Sequence, residues 1–274
     1  MCMTYAEFLE KIKLDKPAID LLLATKIDES KITKALETFK RSRAKFCERV
    51  NKRDNKDFFY LALFSRMAFA EREEWLAKGL SEEEFCLQFR DIAIWAKCYF
   101  RHHSSWGLEE IDWLCNSLSG KIIRFGRLQF EQKYVHFAKG LVGFSLKKQL
   151  ILSVHIPEDG RLDKAAVKES FAKAREYFDC DKFFCASWLL SPVLVQLLPP
   201  DSNILQFQKF FHIYRTFPSK QCVDRVFDYC TCEYVNLATN TKLQRAVKEY
   251  LLDGGKTNEG WGFFVFDQKE IDKL

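Results

Sequence analysis

Apolar positions along this chain change their period once, near Gly120, and the change divides it in two. From Thr4 to about Ser119 they recur at helical spacing. Tyr5, Phe8, Leu9 and Ile12 form the first stripe, opened by Thr4 and Glu7 in the pattern of a capping box. Asp15 and Pro17 predict a second helix through Ile19, Leu22 and Leu23. One amphipathic helix is expected from Ser30 to about Arg53, with Ile32, Leu36, Phe39, Phe46 and Val50 inward and a basic outer face. Phe58 to Trp75 carries the stripe Phe59, Leu63, Met67 and Ala70. Ser81 with Glu84 then repeats the capping box ahead of Phe85, Phe89, Ile92, Ala96 and Phe100. Trp106 to Leu118 makes a last helix. Helix after helix with short connections predicts an all-α domain over residues 1–118.

After Gly120 strand patterns enter. Lys121 to Glu131 partly alternates and reads as one long strand with Gly126 as a bulge or close backbone approach. Val135 to Phe144 is a weaker, hairpin-like segment. Leu150, Ile151, Leu152, Val154 and Ile156 form the nearly continuous run of a strand buried on both faces, ended by Pro157 and the turn residues Glu158, Asp159 and Gly160. Asp163 caps the helix that follows, whose Val167, Phe171, Ala174 and Phe178 share one face. Phe183 to Ser187 is the next strand, and Ser191 with Pro192 opens a short helix to Leu198. Asn203 to Thr216 reads as the longest later strand, with Ile204, Phe207, Phe210 and Ile213 inward. Lys220 to Tyr229 reads as helix, Thr241 to Leu252 as an amphipathic helix and Gly260 to Phe266 as a terminal strand. Residues 119–274 are thus expected to form a mixed α/β domain with a partly parallel sheet, and the whole chain a two-domain α+β protein.

Composition narrows the class. Hydrophobic residues make up 47% and charged residues 30% of 274, which fits globular domains and excludes disorder. A net charge of +5, with cations and acids interspersed, does not by itself indicate nucleic acid as a partner, which is the less expected reading. The basic segment Lys40, Arg41, Arg43, Lys45, Arg49, Lys52 and Arg53 could contact nucleic acid or another polyanion, but with Glu37, Glu48 and Asp54 offsetting part of its charge the plainer reading is a solvated helix face. Ten cysteines without metal-type spacing, behind an amino-terminal segment lacking a secretory apolar stretch, point to free thiols and a cytoplasmic location. Cys230 with Cys232, and His102 with His103, lack a complete zinc ligand set, so no metal is expected. No apolar run approaches membrane-spanning length.

Three groups carry candidate chemistry. Gly160, Arg161 and Lys164 combine a permissive backbone, two cations and a helix N-terminus, a combination suited to phosphate. The competing reading is a solvated turn in which Asp159 and Asp163 cap the helix and neutralise those cations. His155 shares a strand face with Ser153 and reads as a base or as a core histidine. Cys185 shares a face with Ser187 and, on a neighbouring parallel strand, could lie beside His155 as a nucleophilic pair. The plainer reading is a small buried residue.

The phrases FGRLQFE, LSVHIPEDGRL, CASWLLSPVL, LLPPDSNILQFQ, TKLQRAVKEYLLDGGK and GWG, spread over Phe125 to Gly262, resemble a bacterial group of acyltransferases. That group joins a helical N-terminal domain to a GNAT-like C-terminal domain. The resemblance implies a strand that splays from its neighbour, with backbone at Val154, His155 and Ile156 holding the pantetheine arm of acyl-CoA. It implies a loop from Glu158 to Lys164 cradling the pyrophosphate, through Gly160, Arg161 and Lys164. His155 would be the general base. This chain departs from the family pattern in having one loop glycine rather than two closely spaced, acids on either side of that glycine, and no tyrosine in Ser191 to Leu198.

The reading is an N-acyltransferase moving an acyl group from acyl-CoA or acetyl-CoA, as co-substrate, to an amine or hydroxyl of a small-molecule acceptor, with the helical domain shaping the acceptor pocket. His155 and Cys185 are the candidate catalytic residues. The alternative is a catalytically inactive GNAT-fold ligand-binding or regulatory protein.

Overall fold

The structure, a computed structural model, describes residues 3–135 and 149–268. It divides into two compact units, Met1–Gly126 with Pro157–Asp159, and Arg127–Ile156 with Gly160–Leu274.

The first unit is helical, as its apolar spacing requires. Its helices are α1 (Tyr5–Lys11), α2 (Lys16–Ala24), α3 (Glu29–Arg41), α4 (Arg43–Asn51), α5 (Lys56–Ala70), α6 (Arg72–Ala77), α7 (Glu82–Gln88), α8 (Arg90–His103) and α9 (Ile111–Leu118), followed by strand β1 (Ile122–Phe125). Both expected capping boxes form: Thr4 accepts from the Glu7 N–H and Ser81 from the Glu84 N–H, with each Glu reaching back. The single helix expected over Ser30 to Arg53 is instead broken at Ser42. That residue is extended and caps α4 by accepting from the Lys45 N–H. Phe58 to Trp75 and the helix opened at Ser81 are also broken, at Glu71 and Phe89, but there by a change of backbone angle with no side-chain cap. Aromatic packing fills the centre, with Phe8, Phe85 and Phe89 within ring contact and Trp75 edge-on to Phe89.

The single strand expected over Lys121 to Glu131 is two strands. Gly126 has φ +54°, so the chain turns there rather than bulging, and β2 (Leu128–Val135) begins two residues later. Most of the hairpin-like segment from Val135 to Phe144 lies outside the described residues.

The second unit holds β2, β3 (Gln149–His155), α10 (Lys164–Phe178), β4 (Lys182–Ser187), α11 (Leu194–Leu197), α12 (Asn203–Gln208), β5 (His212–Pro218), α13 (Gln221–Val226), α14 (Lys242–Leu252) and β6 (Asn258–Val265). Its strands run in the order β2-β3-β4-β6-β5. Only the β3–β4 pair is parallel; the other three are antiparallel. The long strand expected over Asn203 to Thr216 is a helix followed by a strand. Ser202 caps α12 by accepting from the Leu205 N–H, which commits Asn203 to Gln208 to a helical turn with Leu205 and Phe207 buried.

The β3–β4 register pairs Leu152 with Phe183 and Ser153 with Phe184, which sorts every side chain to a face. One face is dry: Phe130, Leu152, Val154, Phe183 and Cys185 are buried. Phe171 of α10 packs there against Phe183 at 5.1 Å and Phe264 at 4.9 Å. Gly260 and Gly262 also belong to this packing. A Cβ at Gly260 would stand 2.1 Å from Leu190 O, and one at Gly262 would stand 2.8 Å from Phe211 Cβ. The closing Gly-Trp-Gly is therefore a strand pressed against its neighbours.

Candidate functional site

The site grows from the carboxyl end of β3. This strand stays paired to β2 through the Gln129–His155 pair, whereas its ladder with β4 holds only the Leu152–Phe183 and Ser153–Phe184 pairs. Beyond Ser153 no further pair is registered between the two parallel strands. Val154, His155 and Ile156 thus present backbone toward a side where, among the described residues, no β4 residue is registered against them.

His155 lies on the face opposite the dry one, in line with Gln129, Glu131 and Ser153. These neighbours are polar and yet buried, with Gln129 at 1%, Ser153 at 4% and Glu131 at 6% exposure, while the His155 side chain is 26% exposed. The Glu131 carboxylate stands 3.5 Å from His155 Nε2 and 3.0 Å from Lys133 Nζ. A carboxylate beside an imidazole stabilises the imidazolium that forms when the ring takes a proton.

Cys185 does not join His155. The register aligns Cys185 with the inward Phe183, on the far side of the sheet, and its exposure is 0%. Burial pushes its thiol well above its ordinary value, so it remains a neutral thiol at physiological pH. A Cys185–His155 pair is therefore ruled out by geometry.

The loop after β3 places its charges differently from the sequence expectation. Asp159 does not meet Arg161 or Lys164. Within the first unit its carboxylate accepts from Arg124 Nη2 at 2.8 and 3.0 Å and pairs with Arg90 Nε at 3.2 Å. Arg124 is almost fully enclosed, and Asp91, itself held by Trp113 Nε1 at 2.6 Å, stands 4.0 Å from its other terminal nitrogen. Asp163 does cap α10, accepting from the Ala165 and Ala166 N–H groups. Arg161 and Lys164 make no ion pair among the described residues, and Arg161 is exposed. Asp159 and Asp163 are thus occupied, whereas Arg161 and Lys164 are in no ion pair among the described residues.

Two residues that the sequence reading passed over stand against the expected ones. Glu131 faces His155. Arg127, in the turn before β2, donates from Nη2 to Gly160 O at 2.7 Å and from Nε to Arg161 O at 2.9 Å. Glu131 could have been found: given an antiparallel β2–β3 pair, the alternation Gln129, Glu131 must share a face with Ser153 and His155. Nothing in the sequence points to Arg127 as a partner of residues 33 and 34 positions away.

The first unit has a cleft of its own, of ≈ 280 Å³, lined by Lys13, Arg90, Lys97 and Arg101 together with Asp15, Glu158 and Asp159. Among the described residues no helix is long and apolar enough to cross a membrane.

A helical N-terminal region, a mixed sheet with one short parallel ladder, and a capped helix after the polar loop that follows it fit an acyltransferase of the GNAT class. Residues 122–264, more than half of the chain, match the family described as a GNAT-like C-terminal domain, and residues 3–120 match the N-acyltransferase N-terminal domain. The chain belongs to this family. No curated protein matches the sequence. Among solved structures, an acyltransferase in complex with decanoyl-CoA and teicoplanin is similar, with 21% identity and a TM-score of 0.75 over 95% of this chain and 87% of that one. Similar too are an acyltransferase in complex with CoA and 10C-teicoplanin, with 21% identity and a TM-score of 0.75 over 97% and 88%, and one in complex with decanoyl-CoA alone, with 20% identity and a TM-score of 0.75 over 95% and 87%. At this identity the likeness establishes the fold.

Proposed function

We propose that this protein transfers an acyl group from a CoA thioester to an amine or hydroxyl of a small-molecule acceptor. The observation that carries the reading is the early end of the registered β3–β4 ladder: Val154, His155 and Ile156 have no registered β4 partner, and their backbone would meet the amide groups of a pantetheine arm. The Gly160 to Lys164 loop takes the diphosphate, where two uncommitted cations and the N-terminus of α10 favour negative charge. The acceptor nitrogen or oxygen attacks the thioester carbonyl, the new C–N or C–O bond forms, and the C–S bond breaks to release CoA thiolate. His155 takes the acceptor proton and Glu131 stabilises the resulting imidazolium. Cys185 has no part in the reaction. The similar solved acyltransferases hold decanoyl-CoA and teicoplanin, which supports an acyl-CoA donor and a small-molecule acceptor here.

The test is thermal unfolding against a panel of acyl-CoAs of increasing chain length, followed by thiol release with amine acceptors. At about one hundred times Kd a bound donor adds about 2.7 kcal/mol of stability. An unchanged midpoint with every donor at millimolar concentration would rule the reading out.

A further inference from the structure

Arg127 is itself held in place. Its backbone N–H donates to Ser170 Oγ at 2.9 Å, and that hydroxyl donates to Ala166 O at 2.7 Å inside α10. From this fixed point its guanidinium gathers two successive carbonyls, those of Gly160 and Arg161. In a planar trans peptide the carbonyl and the following N–H point in opposite directions. The N–H groups of Arg161 and Leu162 are therefore turned away from Arg127, side by side. Among the described residues neither donates to a protein acceptor. Leu162 is buried, which pins the second of these peptides by its side chain.

Gly160 adds a second observation. Its φ is not left-handed, and a Cβ there would meet only Arg127 Nε, at 4.0 Å. Neither conformation nor packing calls for glycine, so what the missing side chain leaves is room for another group to come against the backbone.

We propose that Arg127 is a positioning residue for the CoA diphosphate. It aims the Arg161 and Leu162 amides at the anionic oxygens, while Arg161 and Lys164 supply charge. The inference rests on the reading of this loop as the donor site. Because the role depends on the planar fork that reaches both carbonyls, a lysine cannot fill it.

Calorimetry with CoA and with pantetheine, which has the same arm without the diphosphate, tests this on the full chain and on R127M, R127K and G160A. Thermal unfolding reports whether each variant folds. The ratio of CoA to pantetheine affinity is expected to fall about ten-fold in both arginine variants, and acyl-CoA turnover to show a raised KM rather than a lowered kcat. G160A is expected to melt with the wild type and still to lose CoA affinity. Should R127M fail to fold, R127K and G160A carry the test. An unchanged ratio in R127K assigns the effect to charge and overturns the positioning role, and an unchanged ratio in G160A overturns the close approach. A wild type that binds pantetheine and CoA equally keeps the donor site and removes the diphosphate role. One that binds neither removes the donor site as well.

Discussion

The two faces of the sheet in the second unit are built from the same strands and yet are chemically opposite. On one, Phe130, Phe183 and Phe264 close around Phe171 of α10, with ring centroids 4.9 to 6.0 Å apart. On the other, Gln129, Glu131, Ser153 and His155 stand in adjacent register. Burying polar side chains costs stability unless each finds a partner. A strand pair that keeps four of them on one face, three nearly enclosed, gives up on that face what the aromatic face supplies. The difference teaches where chemistry can sit: the dry face holds the fold together, and the polar face is free to bind and move protons.

Paired substitutions break or sharpen this contrast. His155→Ala is expected to lower kcat by about 10²- to 10⁴-fold, the usual contribution of a general base, with little change in the unfolding midpoint. Phe183→Ala, paired with Leu152 in the β3–β4 ladder and turned to the dry face, is expected to cost about 3–5 kcal/mol in denaturant unfolding. If His155→Ala destabilises as much as Phe183→Ala, the two faces do not divide the labour as described.

A smaller effect, about 1–3 kcal/mol from overpacking, is expected for Gly260→Ala, whose Cβ would collide with Leu190 O. Gly160→Ala, with nothing nearer than 4.0 Å, is the matched control and should unfold with the wild type. Glu131→Gln keeps the shape of the polar face and removes its charge. It is expected to reduce kcat about ten-fold, the scale of one charge-assisted hydrogen bond, while the melting midpoint stays within a degree or two. A variant as active as wild type would show that His155 acts without Glu131.

The smallest effect separates the faces by pH. Burial raises the Cys185 thiol above its ordinary 9.0, so the unfolded chain ionises first as pH climbs. The stability this neutral thiol contributes is fully present below pH 9.0 and is lost above it. Cys185→Ala is expected to flatten the decline of unfolding free energy over that window, and native Cys185 to resist iodoacetamide equally with His155 present or replaced. Alkylation that depends on His155 would contradict the opposite-face placement.

Much of the architecture was legible in residue order. The capping boxes at Thr4 and Ser81, the Asp163 cap and the apolar stripe of α10 each depend on residues three or four apart, and all formed as expected. The misreadings share a cause. Ser42 breaking one helix into two and Ser202 starting α12 are single hydrogen-bonding choices within otherwise continuous apolar patterns, and periodicity does not report them. The Asn203 to Thr216 segment alternates unevenly enough to fit either period.

The site divides along the same line. That the stretch from Gln149 to Phe178 is strand, polar loop and capped helix, with His155 and Ser153 on one side, follows from local pattern alone. Which face Cys185 shares, where β3 leaves β4, and which arginine holds which loop group were decided by tertiary structure. The reason is distance along the chain. Asp159 meets Arg124 across 35 positions, and Gly160 meets Arg127 across 33. Such pairings depend on how strands register and how the chain returns, and no short-range preference encodes them. Read in sequence, the loop acids stood beside its cations and cancelled them; in the folded protein Asp159 is held by arginines from elsewhere in the chain, and Arg161 and Lys164 make no ion pair among the described residues.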